Sequence, residues 1–131
     1  MRHLLMSCMV AIVMCMAVNV FAMDAIVVGA QVTLTYKEPA TNADGSALSD
    51  LKLTTVYYSV NGGATVKGLE TLASSVTGGA SRTVTLNIPI VDSKETVLKF
   101  WATATDESLN ESLQSVTVVK RIDKLAPSAP E

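Results

Sequence analysis

The sequence predicts an all-β domain, a two-sheet sandwich of about seven strands. Three observations lead there. Apolar residues alternate with polar ones in short runs, which is the period of a half-buried strand and not of a helix. Thr and Val dominate these runs, while Gly, Asn, Asp and Ser punctuate them. After residue 22, no stretch carries the apolar spacing of a three-turn helix. Short strands at this spacing are the pattern of sandwiches and small barrels.

The chain opens on a different material. Arg2 and His3 give a short positive start, residues 4 to 18 form an uncharged apolar run, and Asn19-Val20-Phe21-Ala22 ends it with a small residue. A charged end, an apolar core and a V-x-A site together describe a secretory signal peptide over 1–22. Cleavage is expected after Ala22, with Ala25 as the second choice. An uncleaved anchor is the alternative, because Leu4 to Ala22 is near the ~20 residues that span a bilayer. Leu5-Met6-Ser7-Cys8 is similar to a bacterial lipobox, but no apolar run precedes it. Cys15 follows Met14 where a small residue is needed. A lipid anchor is therefore not expected.

The strands follow in order. Gln31–Lys37 alternates, with Val32, Leu34 and Tyr36 on one face. Leu53–Val60 is rich in β-branched and aromatic residues. Asn61-Gly62-Gly63 signals a hairpin turn before the short run Ala64–Lys67. Leu69–Val76 is a further strand, closed by Gly78-Gly79. Arg82–Ile88 directs Val84, Leu86 and Ile88 inward. Thr96–Thr105 does the same with Leu98, Phe100, Ala102 and Ala104. Ser115–Lys120 is the last strand. Residues 38–50 and 106–114 are polar loops. The tail 123–131 holds Pro127 and Pro130 and reads as an extended linker. The sandwich is thus assigned to 23–122.

Composition excludes several chemistries. The full chain carries 10 basic and 12 acidic residues. Loss of Arg2 with the signal leaves 9 against 12, a charge near −3. No basic run exists to follow phosphates, so nucleic acid is not an expected partner. Cys8, Cys15 and His3 are the only Cys and His residues, and all three lie in the signal. The mature chain then has no thiolate zinc site, Ser-His-Asp triad or Cys-His dyad. A non-enzymatic role outside the cytoplasm follows: secreted, periplasmic or at the cell surface, with no membrane contact after signal removal.

The runs themselves resemble a known family. VTLTYKEPATNADGSALSD, over 32–50, resembles the second strand and following loop of a fibronectin type III domain of bacterial or phage type. Val56-Tyr57-Tyr58 resembles its third strand. LKFWATATDESLNES, over 98–112, resembles its sixth strand and next loop. The resemblance covers most of residues 27 to 130. Two positions depart from it: the second-strand tryptophan stands here as Tyr36, and the corner tyrosine near the sixth strand as Leu98. Leu98 cannot make the hydroxyl bond, so that corner must be held differently. The resemblance implies that the third, sixth and seventh strands share a sheet, and that the 38–50 and 106–114 loops meet at one pole. It also implies an adhesive or structural module, since such a fold specifies shape better than activity.

Two candidate surfaces follow. If Val56, Tyr58 and Val60 face the core, Tyr57 faces out; if Phe100 and Ala102 face in, Trp101 faces out. Neighbouring strands would then place Tyr57 beside Trp101, flanked by Thr55 and Lys99, as a patch for a protein or a glycan. Alternatively the two rings shield each other or the sheet. The second surface is acidic: Glu38, Asp44 and Asp50 on one loop, and Asp106, Glu107 and Glu111 on the other. Gathered at one pole they could hold calcium, with Asn42 and Asn110 adding carbonyls; the alternative is a solvated loop tip. Paired carboxylates also serve hydrolases, but a domain of this size offers little depth for such a site. The expected role is therefore protein binding or self-assembly without a cofactor, with glycan binding as the alternative and a hydrolase subunit as a remote one.

Overall fold

A computed structural model describes residues 23–90 and 93–131. The expected signal peptide lies outside the described residues. Seven strands form two antiparallel sheets: β1 (Asp24–Val28), β2 (Gln31–Lys37), β3 (Leu51–Val60), β4 (Val66–Leu72), β5 (Ser81–Asn87), β6 (Glu95–Asp106) and β7 (Val118–Asp123). One sheet has the order β1-β2-β5, the other β4-β3-β6-β7. This is an immunoglobulin-like β-sandwich. β3, β6 and β7 share a sheet, as expected.

The alternation works as the sequence implies. Val32, Leu34 and Tyr36 of β2 and Val84 and Leu86 of β5 meet Val56, Leu98, Phe100, Ala102 and Ala104 from the other sheet. Tyr36 carries a hydroxyl into this core and spends it across the sheets, 2.6 Å from Thr54 Oγ1. Buried hydroxyls need such partners.

Three strand assignments change. β1 is additional to the expected strands: its β-branched run Ile26-Val27-Val28 directly follows the expected signal peptide, and only Ala25 of the five residues is fully buried. A two-residue turn at Gly29-Ala30 folds it back on β2. Gly29 has φ +61°, the conformation that glycine adopts without strain. Ala64–Lys67 and Leu69–Val76 are one strand, Val66–Leu72, which passes through Gly68. A side chain at Gly68 would press on Leu86, Tyr58 and the Val56 carbonyl, each at 3.2 Å. The glycine marks close packing there and not a break. The last strand is Val118–Asp123 instead of Ser115–Lys120, and Asp123 pairs with Glu95, so the tail begins one residue later than expected.

An asparagine ties the β3–β4 turn to β6. Asn61, with φ 51°, donates its N–H to the Val97 carbonyl and accepts from Val97 N–H through Oδ1, both at 2.8 Å. Leu98 is fully buried beside it.

Candidate functional site

The outer face of the four-stranded sheet carries the aromatic pair. β3 and β6 are in register at Tyr57–Trp101, with Thr55 opposite Thr103 and Ser59 opposite Lys99. The rings stack, with centroids 6.2 Å apart and planes 15° from parallel. The expected juxtaposition is present, but the expected exposure is not. Trp101 is only 8% exposed and Thr55 2%. Lys99 is exposed and Tyr57 half-buried.

The reason for this burial is local. β7 pairs with β6 only as far as Phe100. Beyond that point the 107–117 segment takes its place through serine side chains. Ser115 N–H donates to the Ala102 carbonyl (2.8 Å) and Ser115 Oγ accepts from Ala102 N–H (2.9 Å). Ser112 repeats this arrangement on Ala104, at 2.8 and 2.9 Å. Each serine satisfies a β6 amide that a ladder carbonyl would otherwise take. The two tethers are three residues apart on the segment and two apart on β6, so the segment bulges outward. Trp101 lies between Tyr57 on one side and this tethered segment on the other.

Glu111 completes the cluster. Its Oε1 accepts from Thr103 Oγ1 at 2.7 Å and from the Tyr57 hydroxyl at 3.0 Å. The Thr103 bond, and then the Tyr57 bond, hold the Glu111 carboxyl below its ordinary pKa. Burial, and next the Glu111 carboxylate, push the Tyr57 phenol up. Lys67 is ion-paired with Glu70 on β4, and that bond raises the ammonium pKa.

The two polar loops do meet at one pole, where Glu107 N–H donates to the Asp50 carbonyl at 2.9 Å. They do not assemble the calcium ligands. Among the described residues, no three or more acidic, Cys or His groups are placed to hold a metal ion. Asp44 accepts from Ser46 N–H and Oγ, and the side-chain bond leads in lowering its pKa. Asp106 is used in the same way by Asn110, side chain first. Glu111 is turned onto the sheet. Glu38 is not at a loop tip at all: its buried carboxylate accepts from Ser74 N–H (3.0 Å) and Ser74 Oγ (2.6 Å), with Arg82 Nε 3.7 Å away. Asp50 and Glu107 contribute backbone contacts to the pole.

By its residues alone the 107–117 segment is a polar loop running into the start of a strand. Its tethering serines show no periodic signal, since Ser112 and Ser115 fit neither a period of two nor a turn motif. What it displays is apolar. Leu113 is 92% exposed, and Leu109, Val116 and the following Val119 are also exposed. Comparison with known proteins gave no matching family model, no matching curated protein and no matching solved structure.

Proposed function

We propose that the chain is an exported, non-catalytic binding and assembly module of the fibronectin type III kind. It would serve as a small adhesin or as a subunit of an extracellular or virion structure. The strand order of the two sheets supports the family reading. The observation that carries the functional reading is the succession Leu109, Leu113, Val116 and Val119: four exposed aliphatic side chains in the 109–119 stretch, most of it a segment tied to β6 by two serine tethers. Apolar side chains grouped this way suit a protein partner, and a fixed backbone lowers the entropy lost on binding. The proposal uses no cofactor.

Glycan binding is the less favoured reading. A sugar platform needs an open ring face, and Trp101 is only 8% exposed and stacked beside Tyr57. The two readings separate by mutation. With Leu113→Asp and Val116→Asp together, the exported protein is expected to leave the surface or particle fraction with its thermal unfolding unchanged. If it still co-sediments with that fraction, the protein-binding surface is wrong. A glycan array on which Trp101→Ala abolishes binding without loss of stability would favour the carbohydrate reading instead.

A further inference from the structure

The outer sheet face gathers the parts that a one-electron oxidation needs: a phenol to lose the electron, a base to take its proton, and a second aromatic ring in contact with the first. A phenol becomes a strong acid once it loses an electron, so the proton has to leave in the same event. What a tyrosine hydroxyl touches therefore decides how readily that tyrosine is oxidised. Among the described residues, which include all three tyrosines, only Tyr57 donates to a carboxylate, Glu111 Oε1 at 3.0 Å. The Tyr36 hydroxyl meets Thr54 Oγ1 in the core, and a neutral hydroxyl is a poor base. The Tyr58 ring is tilted against Phe100, which has no group to accept a proton.

Glu111 is placed for direct transfer. A heavy-atom distance of 3.0 Å is within the reach that a proton crosses without an intervening water. The same oxygen accepts from Thr103 Oγ1 at 2.7 Å, which fixes it over β6, and the two bonds keep the carboxyl ionised at neutral pH. Lys67 stands opposite Tyr57 on β4, but its ammonium is paired with Glu70 and has no lone pair to receive a proton. Trp101 supplies the second ring. It lies 6.2 Å from Tyr57, centroid to centroid, with the planes 15° from parallel, and is 8% exposed. Two stacked rings at this separation exchange an electron without either leaving the sheet face.

We propose that Tyr57 is the site where one-electron oxidation of this chain settles, with Trp101 as its relay and Glu111 as its proton acceptor. The co-reactant is a small diffusing one-electron oxidant, such as a high-valent metal complex. When it takes the electron from Tyr57, the Oη proton moves to Glu111 Oε1. The products are a neutral tyrosyl radical, a neutral Glu111 carboxylic acid and the reduced oxidant. When it takes the electron from Trp101, Tyr57 refills the indole radical cation across the stack while the same proton crosses to Glu111. Trp101 ends as it began. By either route the phenol loses one electron and one proton, only the O–H bond breaks, and Glu111 later returns the proton to water. This is a chemical property of the sheet face and does not depend on the apolar surface at Leu113 and Val116.

The test uses the protein as purified from the cell, with any Cys8 and Cys15 present alkylated so that no thiol competes. Hexachloroiridate(IV) is the oxidant, mixed by stopped flow and freeze-quenched for paramagnetic resonance. The native chain is expected to give a tyrosyl signal, to carry the modified residue at Tyr57 in fragment-ion mass spectrometry, and to keep its Trp101 fluorescence. Tyr57→Phe preserves a ring beside Trp101 and removes the phenol. The radical then stays on Trp101, and its fluorescence is lost. Glu111→Gln still accepts from the Tyr57 hydroxyl but is no base, and slows the oxidation by about tenfold. This is less than a positioned base usually contributes, because Glu111 is exposed and water takes over part of its role. Should a variant unfold, the native chain still decides: its oxidation runs slower in heavy water than in light water, because the proton moves with the electron. Oxidation spread evenly over Tyr36, Tyr57 and Tyr58 overturns the inference. So does a Trp101 that bleaches equally with and without the Tyr57 phenol, a folded Glu111→Gln oxidised at the native rate, or a native rate indifferent to heavy water.

Discussion

Replacing Tyr36 by Phe deletes one oxygen from the centre of the sandwich, and its effect is set by what that oxygen touches. The hydroxyl lies 2.6 Å from Thr54 Oγ1, and both residues are buried. Phe fills the same ring volume, so cavity formation contributes little. The loss is that of a buried Thr54 hydroxyl left without a partner, a penalty of about 2 kcal/mol. Thr54→Val has the mirror effect: the shape is kept and the Tyr36 hydroxyl is stranded, again costing about 2 kcal/mol. The double variant strands nothing. Two apolar groups now meet where two hydroxyls did, and its stability returns to within about 1 kcal/mol of the native chain. The sum of the single losses then exceeds the double loss by about 3 kcal/mol, the signature of one shared bond. Urea unfolding reads this directly through the fluorescence of Trp101, the lone tryptophan. If the double variant loses as much as both singles combined, or if Tyr36→Phe alone is silent, the two sheets are not fastened by this bond.

The remaining expectations concern the loops and the outer face. Glu38→Ala removes the acceptor of Ser74 N–H and Oγ and the partner of Arg82; it destabilises by about 3 kcal/mol in urea titration, at the lower end for a broken buried pair because Arg82 reaches solvent. Asp44→Asn, on the exposed loop, stays within about 0.5 kcal/mol by the same assay. Gly78→Ala puts a Cβ 1.9 Å from the Pro39 carbonyl at φ +61° and lowers stability by more than about 2 kcal/mol, whereas Gly29→Ala, with open space around it, shows only the left-handed backbone penalty of about 1–2 kcal/mol in thermal unfolding. Because the Glu111 pKa is depressed in the fold, its contribution is present above the ordinary value of 4.5 and is lost as pH falls through the folded value. Tyr57 has the opposite sign: its raised pKa contributes below the ordinary value of 10.0 and is lost as pH rises through the folded one. Glu111→Gln removes the acid-side loss and lowers the Tyr57 pKa partway, since burial remains; phenolate absorbance against pH measures it.

The sandwich is legible in the chain's own alternation. Val32, Leu34 and Tyr36, or Leu98, Phe100 and Ala102, alternate because successive side chains leave opposite faces of a strand, and that periodicity is written residue by residue. The same parity is enough to place Tyr57 beside Trp101. Which of these groups meets solvent is settled by long-range packing. Trp101 is buried beside Tyr57 on a strand that β7 leaves at Phe100, where two serines fasten an irregular segment instead, a contact between positions with no common period. Glu38 and Glu111 share a sequence character with Asp44, yet one is sealed beneath Ser74 and the other is turned onto Tyr57. Asp24–Val28 is an edge strand only because β2 is there to receive it. Local pattern fixes which way a side chain points. Burial depends on what the rest of the chain lays over it, and that information is distributed across residues far apart in sequence.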